Sequence, residues 1–141
     1  MKMIKWIVLF TLLCLSYCSL GSNKVNSYQG TFSGNWKWER NSDKGEFTIS
    51  FSQKGDTVIG NYCAIAQAGE RIDCFDKGEY SFRFLISGSN STRIEFKFKT
   101  AYSNTYGKAK ITLENNKLLW EIIEKPKGEF YAPLKAVLLK E

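Results

Sequence analysis

The chain has 141 residues, enough for one domain with its own core. Its formal net charge is +6, a mild excess that permits contact with anionic surfaces without requiring nucleic acid. It holds no histidine, which excludes imidazole acid–base chemistry, histidine-based triads and histidine-assisted zinc sites.

Residues 1–21 place Lys2 and Lys5 ahead of an apolar run, Ile7 to Leu15, that is short for a bilayer span. That order reads as a secretion signal. Leu15-Ser16-Tyr17-Cys18 resembles the lipobox of bacterial lipoproteins, which implies lipid attachment at Cys18 and an outer-membrane anchor. Ordinary cleavage after Cys18 or Gly21 is the alternative. Residues 22–27 form a polar, flexible linker, and the folded domain is expected over 28–141 in the bacterial periplasm. Removing Lys2 and Lys5 from the 20 basic residues leaves 18 against 14 acids, a net charge of +4 for the exported part. Two cysteines remain there, Cys63 and Cys74, and an even pair in an oxidising compartment predicts a structural disulfide.

From Tyr28 onward the chain alternates with a period of two in eight or nine short runs, with no convincing helix. The first run, "YQGTFSGNWKWE", sets Tyr28, Gly30, Phe32, Gly34, Trp36 and Trp38 on one face, predicted to look inward, with the glycines where the strand bends. "EFTISFSQ" aligns Phe47, Ile49 and Phe51 before a turn at Lys54-Gly55-Asp56. "TVIGNYCAIA" and "ERIDCFD" follow, joined at Ala68-Gly69. With those two residues as the loop, Cys63 faces Cys74 and Ile65 faces Ile72, and the bridge and both isoleucines are expected to point to the core. "YSFRFLIS" and "RIEFKFK" form a hairpin around Gly88-Ser89-Asn90. "KAKITLE" and "KLLWEIIE" form another around Asn115-Asn116, a strong tight-turn signal. Pro126 to Gly128 interrupts the chain, and "LKAVLLK" closes it.

Short connections join antiparallel neighbours. The expected fold is therefore all-β, a single antiparallel meander of about eight strands closed into a small barrel, with Leu134 to Lys140 returning to the first strand. A two-sheet β-sandwich would use the same alternation.

Catalytic chemistry is scarce. The remaining acid candidates are Asp73, Asp76, Glu79 and Glu129, and paired carboxylates could run glycoside hydrolysis, although acids in turns are ordinarily just solvated. No glycine-rich loop opens a helix, so phosphate cradles of that kind are excluded. No catalytic site, metal or cofactor is expected. A basic stripe runs along the polar faces of two successive strands: Arg93, Lys97, Lys99, Lys108 and Lys110, broken by Glu95. The aromatic set Tyr28, Phe32, Trp36, Trp38, Tyr62 and Trp120 would line a small-molecule site if the interior held a cavity, and would otherwise be core.

Gly34-Asn35-Trp36 on the first strand and Gly60-Asn61-Tyr62 within "VIGNY" resemble the calycin barrels, the lipocalin and avidin families. The resemblance implies an up-and-down barrel that holds a small molecule, with Trp36 packed at its closed end and Tyr62 helping to line the ligand site. The chain departs from that pattern in having no arginine near the last strand to cover Trp36, as lipocalins have. The first functional expectation is a non-enzymatic, secreted or lipid-anchored envelope protein that binds a small hydrophobic or amphipathic ligand inside the barrel. The alternative is a periplasmic protein-binding module, an enzyme inhibitor or immunity protein, that acts on an acidic partner through its outer surface or loops. A structural envelope component without a discrete ligand is the third. Neither main reading involves nucleic acid, and membrane contact is expected only through Cys18.

Overall fold

The computed structural model describes residues 32–39, 45–87 and 91–141. The signal, Cys18, the linker, Tyr28, Gly30 and the turn at Gly88 to Asn90 lie outside the described residues.

Each alternating run forms a strand. In chain order these are β1 (Gly34–Trp38), β2 (Gly45–Lys54), β3 (Thr57–Ala66), β4 (Arg71–Cys74), β5 (Phe82–Leu85), β6 (Arg93–Lys99), β7 (Tyr106–Glu114), β8 (Lys117–Glu124) and β9 (Lys135–Lys140). They make one antiparallel sheet in the order β4-β3-β2-β1-β9-β8-β7-β6, with β5 on the same edge of β3 as β4. The chain is all-β in a single curled sheet, as expected from its short connections, and not a sandwich.

The last strand does return to the first. Trp36 pairs with Lys140, Lys37 with Leu139 and Trp38 with Leu138. The open seam lies elsewhere, because no ladder joins β5 to β6 among the described residues. Those two strands meet at Ser81 and Lys99: Ser81 Oγ donates to Lys99 O at 2.7 Å and Lys99 N donates to Ser81 O at 2.9 Å, while the Ser81 amide donates to Gly60 O on β3 at 2.9 Å. Elsewhere the seam is filled by rings, with Phe96 stacked on Phe84 at 4.6 Å and tilted against Phe82 at 4.9 Å. The expected β5–β6 hairpin is thus replaced by side-chain packing, and the barrel is incompletely closed.

Turn chemistry matches the sequence. Asn115 and Asn116 both have positive φ, 48° and 62°, as a type I′ hairpin requires. The β3–β4 connection differs from the two-residue loop: Ala66 pairs with Arg71, and Gln67 to Glu70 form a four-residue loop. The pairing still sets Cys63 opposite Cys74 in a disulfide, and their Cα atoms are 4.1 Å apart, the spacing of a non-hydrogen-bonded pair. The longer loop shifts the pair to that more favourable site.

The direction of this hairpin corrects the expectation. Tyr62, Ala64 and Asp73 face the core, whereas Ile72 is 58% exposed and the disulfide is half-buried on the outer side. Adjacent residues of a strand point to opposite faces, so Tyr62 inside forces Cys63 outside.

Candidate binding surfaces

Phe32, Trp36, Tyr62 and Trp120 are all buried, and Trp38 is half-buried against the same core. They are packed against other rings: Phe47, Tyr62, Phe98 and Trp120 make pairs with centroids between 5.4 and 6.4 Å apart, and Phe32 lies 6.0 Å from Phe51. Pairs of this geometry contribute beyond the area they bury. Their polar tips are bonded within the chain. Trp36 Nε1 donates to Phe32 O at 2.9 Å, Trp120 Nε1 to Pro133 O at 2.8 Å, and Tyr62 OH to Asp73 Oδ2 at 2.8 Å.

The two glycines of the resemblance have local reasons. A Cβ on Gly34, whose φ is +120°, would stand 2.9 Å from Lys140 Cε, and Lys140 Nζ lies 5.5 Å over the Trp36 ring. Gly34 thereby admits the lysine that caps the indole, a cation–π contact. At Gly60 a Cβ would be 2.1 Å from Ser50 O and 2.7 Å from the Phe82 ring, so only glycine allows β2, β3 and β5 to approach this closely.

Of the four acids, Asp76, Glu79 and Glu129 are exposed, and Glu129 accepts from Tyr131 OH at 2.8 Å. Asp73 is 0% exposed. Its Oδ1 accepts from Ala101 N at 3.0 Å and Tyr102 N at 2.9 Å, and its Oδ2 from Tyr131 N at 3.0 Å and from Tyr62 OH. Burial first, and then the facing carboxylate, push the Tyr62 hydroxyl far above the usual tyrosine range, so it stays a donor. Asp73 thus joins β4 to the connections after β6 and β8, all at one end of the barrel. Its carboxylate oxygens are committed to these donors.

The basic stripe lies on the outer face of β6 and β7, with Lys97 opposite Lys108, Glu95 opposite Lys110 and Lys99 opposite Tyr106. Much of its charge is paired. Lys108 bonds Glu124, Lys110 and Lys135 both bond Glu121, and Arg93 lies 3.8 Å from Glu95. The Glu124 hydrogen bond raises the Lys108 ammonium above its usual range. Lys97 and Lys99 have no carboxylate in ion-pair reach among the described residues.

Two grooves open on this outer surface. One of about 570 Å³ runs over β7, β8, β9 and the end of β1, floored by Leu119 and Val137 and crossed by the Lys110–Glu121–Lys135 triad. The other, about 710 Å³, is lined by Lys97, Tyr106, Lys125 and Lys127 together with Asn104, Thr105, Gly107 and Glu124. Tyr106, Lys125 and Lys127 were not among the residues predicted from sequence.

No protein-family model matches the chain, and no curated protein matches it.

Proposed function

We propose that this is an exported, non-enzymatic binding module that acts through its outer surface on an acidic protein partner. The observation that carries the reading is that the interior tryptophans and Tyr62 direct their polar tips to partners inside the chain and pack ring against ring. Ligand sites ordinarily keep a few convergent polar groups for the ligand. A rigid sheet pinned by a disulfide also docks at low entropic cost. Export to the periplasm, with or without a lipid at Cys18, belongs to the same reading and is supported by the Cys63–Cys74 bridge.

A second reading, a small ligand held inside a calycin-like barrel, is favoured by one observation. Lys140 on the last strand covers Trp36 where the lipocalin pattern has an arginine. Native mass spectrometry of the protein purified from the cells that make it, with a denatured run of the same sample, separates the two. The outer-surface reading expects the bare chain, and titration with the small hydrophobic fluorophore 1-aminoanthracene is expected to show no saturable binding. A copurified small molecule that departs on denaturation, or stoichiometric probe binding, would overturn it in favour of the interior site.

A further inference from the structure

Resting on the outer-surface reading, we propose that the groove between β6, β7 and the segment after β8 binds an acidic peptide segment of the partner, with Lys97, Lys125 and Lys127 placed around the exposed ring of Tyr106. Charge distinguishes this groove from its neighbour. The groove over β8 and β9 has its cations tied to Glu121, whereas none of these three lysines has a carboxylate in ion-pair reach among the described residues. The one acid in the lining, Glu124, is held by Lys108. Lys97 also faces Lys108 across the ladder, a like-charge pairing that a carboxylate from outside would relieve.

The walls are fixed before any partner arrives. Thr100, Ser103 and Thr105 bond one another through their hydroxyls at 2.8 to 3.4 Å, and Thr100 N donates to Thr105 O at 2.8 Å, which locks the loop that leads into Tyr106. Asp73 holds Ala101 and Tyr102 on that wall, and Tyr131 on the segment that carries Lys125 and Lys127. Gly107 brings the two walls together, since a Cβ there would lie 2.8 Å from each of Phe98, Glu124 O and Pro126. Such preorganisation lowers the ordering cost of binding. Tyr106, 64% exposed, adds an aromatic contact of the kind enriched where binding energy concentrates.

The test is fluorescence anisotropy of a dye-labelled octapeptide of glutamates around one central phenylalanine, with the exported protein at low ionic strength. The triple variant Lys97→Gln, Lys125→Gln, Lys127→Gln is expected to weaken saturable binding about tenfold, and Tyr106→Ala about threefold. A second triple variant, Lys37→Gln, Lys54→Gln, Lys77→Gln, removes the same charge from exposed sites outside the groove and is expected to change it less than about twofold. All these residues are exposed, so melting curves should match the parent. Equal weakening in both triple variants would mean that net charge alone attracts the peptide; the groove would be overturned and the acidic-partner reading would stand. Absence of peptide binding together with lysine-dependent binding to anionic phospholipid vesicles would replace the peptide by a membrane and overturn the proposal. No peptide binding together with stoichiometric 1-aminoanthracene binding would overturn the groove and the outer-surface reading alike.

Discussion

Removing the Asp73 carboxylate should be among the most damaging single changes in this molecule. Asp73→Ala leaves three backbone amides and the Tyr62 hydroxyl without their acceptor. Each buried unsatisfied donor costs about 1–3 kcal/mol, and water entering the vacated space would satisfy some of them, so the expected loss is about 4 kcal/mol. That is a large part of the roughly 5–15 kcal/mol that holds a domain folded. Asp73→Asn keeps the shape and one acceptor oxygen, but its amide nitrogen must face either the Ala101 and Tyr102 amides or the Tyr131 amide, and about 2 kcal/mol is expected. Tyr62→Phe deletes one donor to a charged acceptor, for about 1.5–3 kcal/mol. Urea denaturation followed by tryptophan fluorescence measures all three, with an unchanged m-value marking a pure stability effect. The Asp73→Asn and Tyr62→Phe pair should be non-additive by more than about 0.5 kcal/mol, because the residues touch. Hydrogen exchange at Ala101, Tyr102 and Tyr131 should accelerate in Asp73→Ala before global unfolding. A loss below about 1 kcal/mol for Asp73→Ala would refute the reasoning, since it would mean that the four bonds contribute nothing net.

Further outcomes follow from single sites. Hydrogen bonds from Lys110 and then Lys135 hold the Glu121 carboxyl down at about 2. A depressed folded value stabilises above the unfolded one, so this contribution should fade as pH falls from about 4.3 toward 2, and acid titration of Glu121→Gln should show a shallower loss over that window. Replacing Cys63 and Cys74 together by serine should cost about 3 kcal/mol by reopening the 11-residue link, read as a fall in Tm of about 15 °C. Gly60→Ala should cost about 3 kcal/mol or more, because its Cβ would sit 2.1 Å from Ser50 O, whereas Gly55→Ala, with open space but φ of 60°, should cost about 1 kcal/mol in the same melt.

Alternation alone located most of the sheet. Phe47, Ile49 and Phe51 on β2, and Ile94, Phe96 and Phe98 on β6, are buried as their spacing requires. The rule failed on β3 and β4 because apolar residues there occupy both faces: Val58, Tyr62 and Ala64 point in, Ile59 and Ile65 point out. Hydrophobicity could not choose between the two parities. The expectation put both Tyr62 and its neighbour Cys63 inside, which one strand forbids; keeping Tyr62 there decides the parity, since Cys63 must then face out and Asp73, paired with Ala64, must face in. A charged residue is an unnatural core choice until its donors are known, and three of the four, Ala101, Tyr102 and Tyr131, lie between 28 and 58 residues away. Long-range bonds of that kind leave no periodic trace.

The same distinction separates the legible part of the surface from the rest. Lys97 and Lys108 were visible because both sit inside regular strands, where parity assigns the outer face. Tyr106 begins a strand, and Lys125 and Lys127 follow one, so their nearness depends on how Gly107 packs beneath Pro126 and on how Asp73 anchors both connections. A carboxylate placed inside the barrel end therefore does two things at once: it satisfies donors that the core would otherwise leave unpaired, and it fixes the two walls that carry cations without acidic partners. Stability and surface chemistry in this fold share one residue, and an acid that the sequence offered only as one of four candidates anchors both connections beside the candidate site.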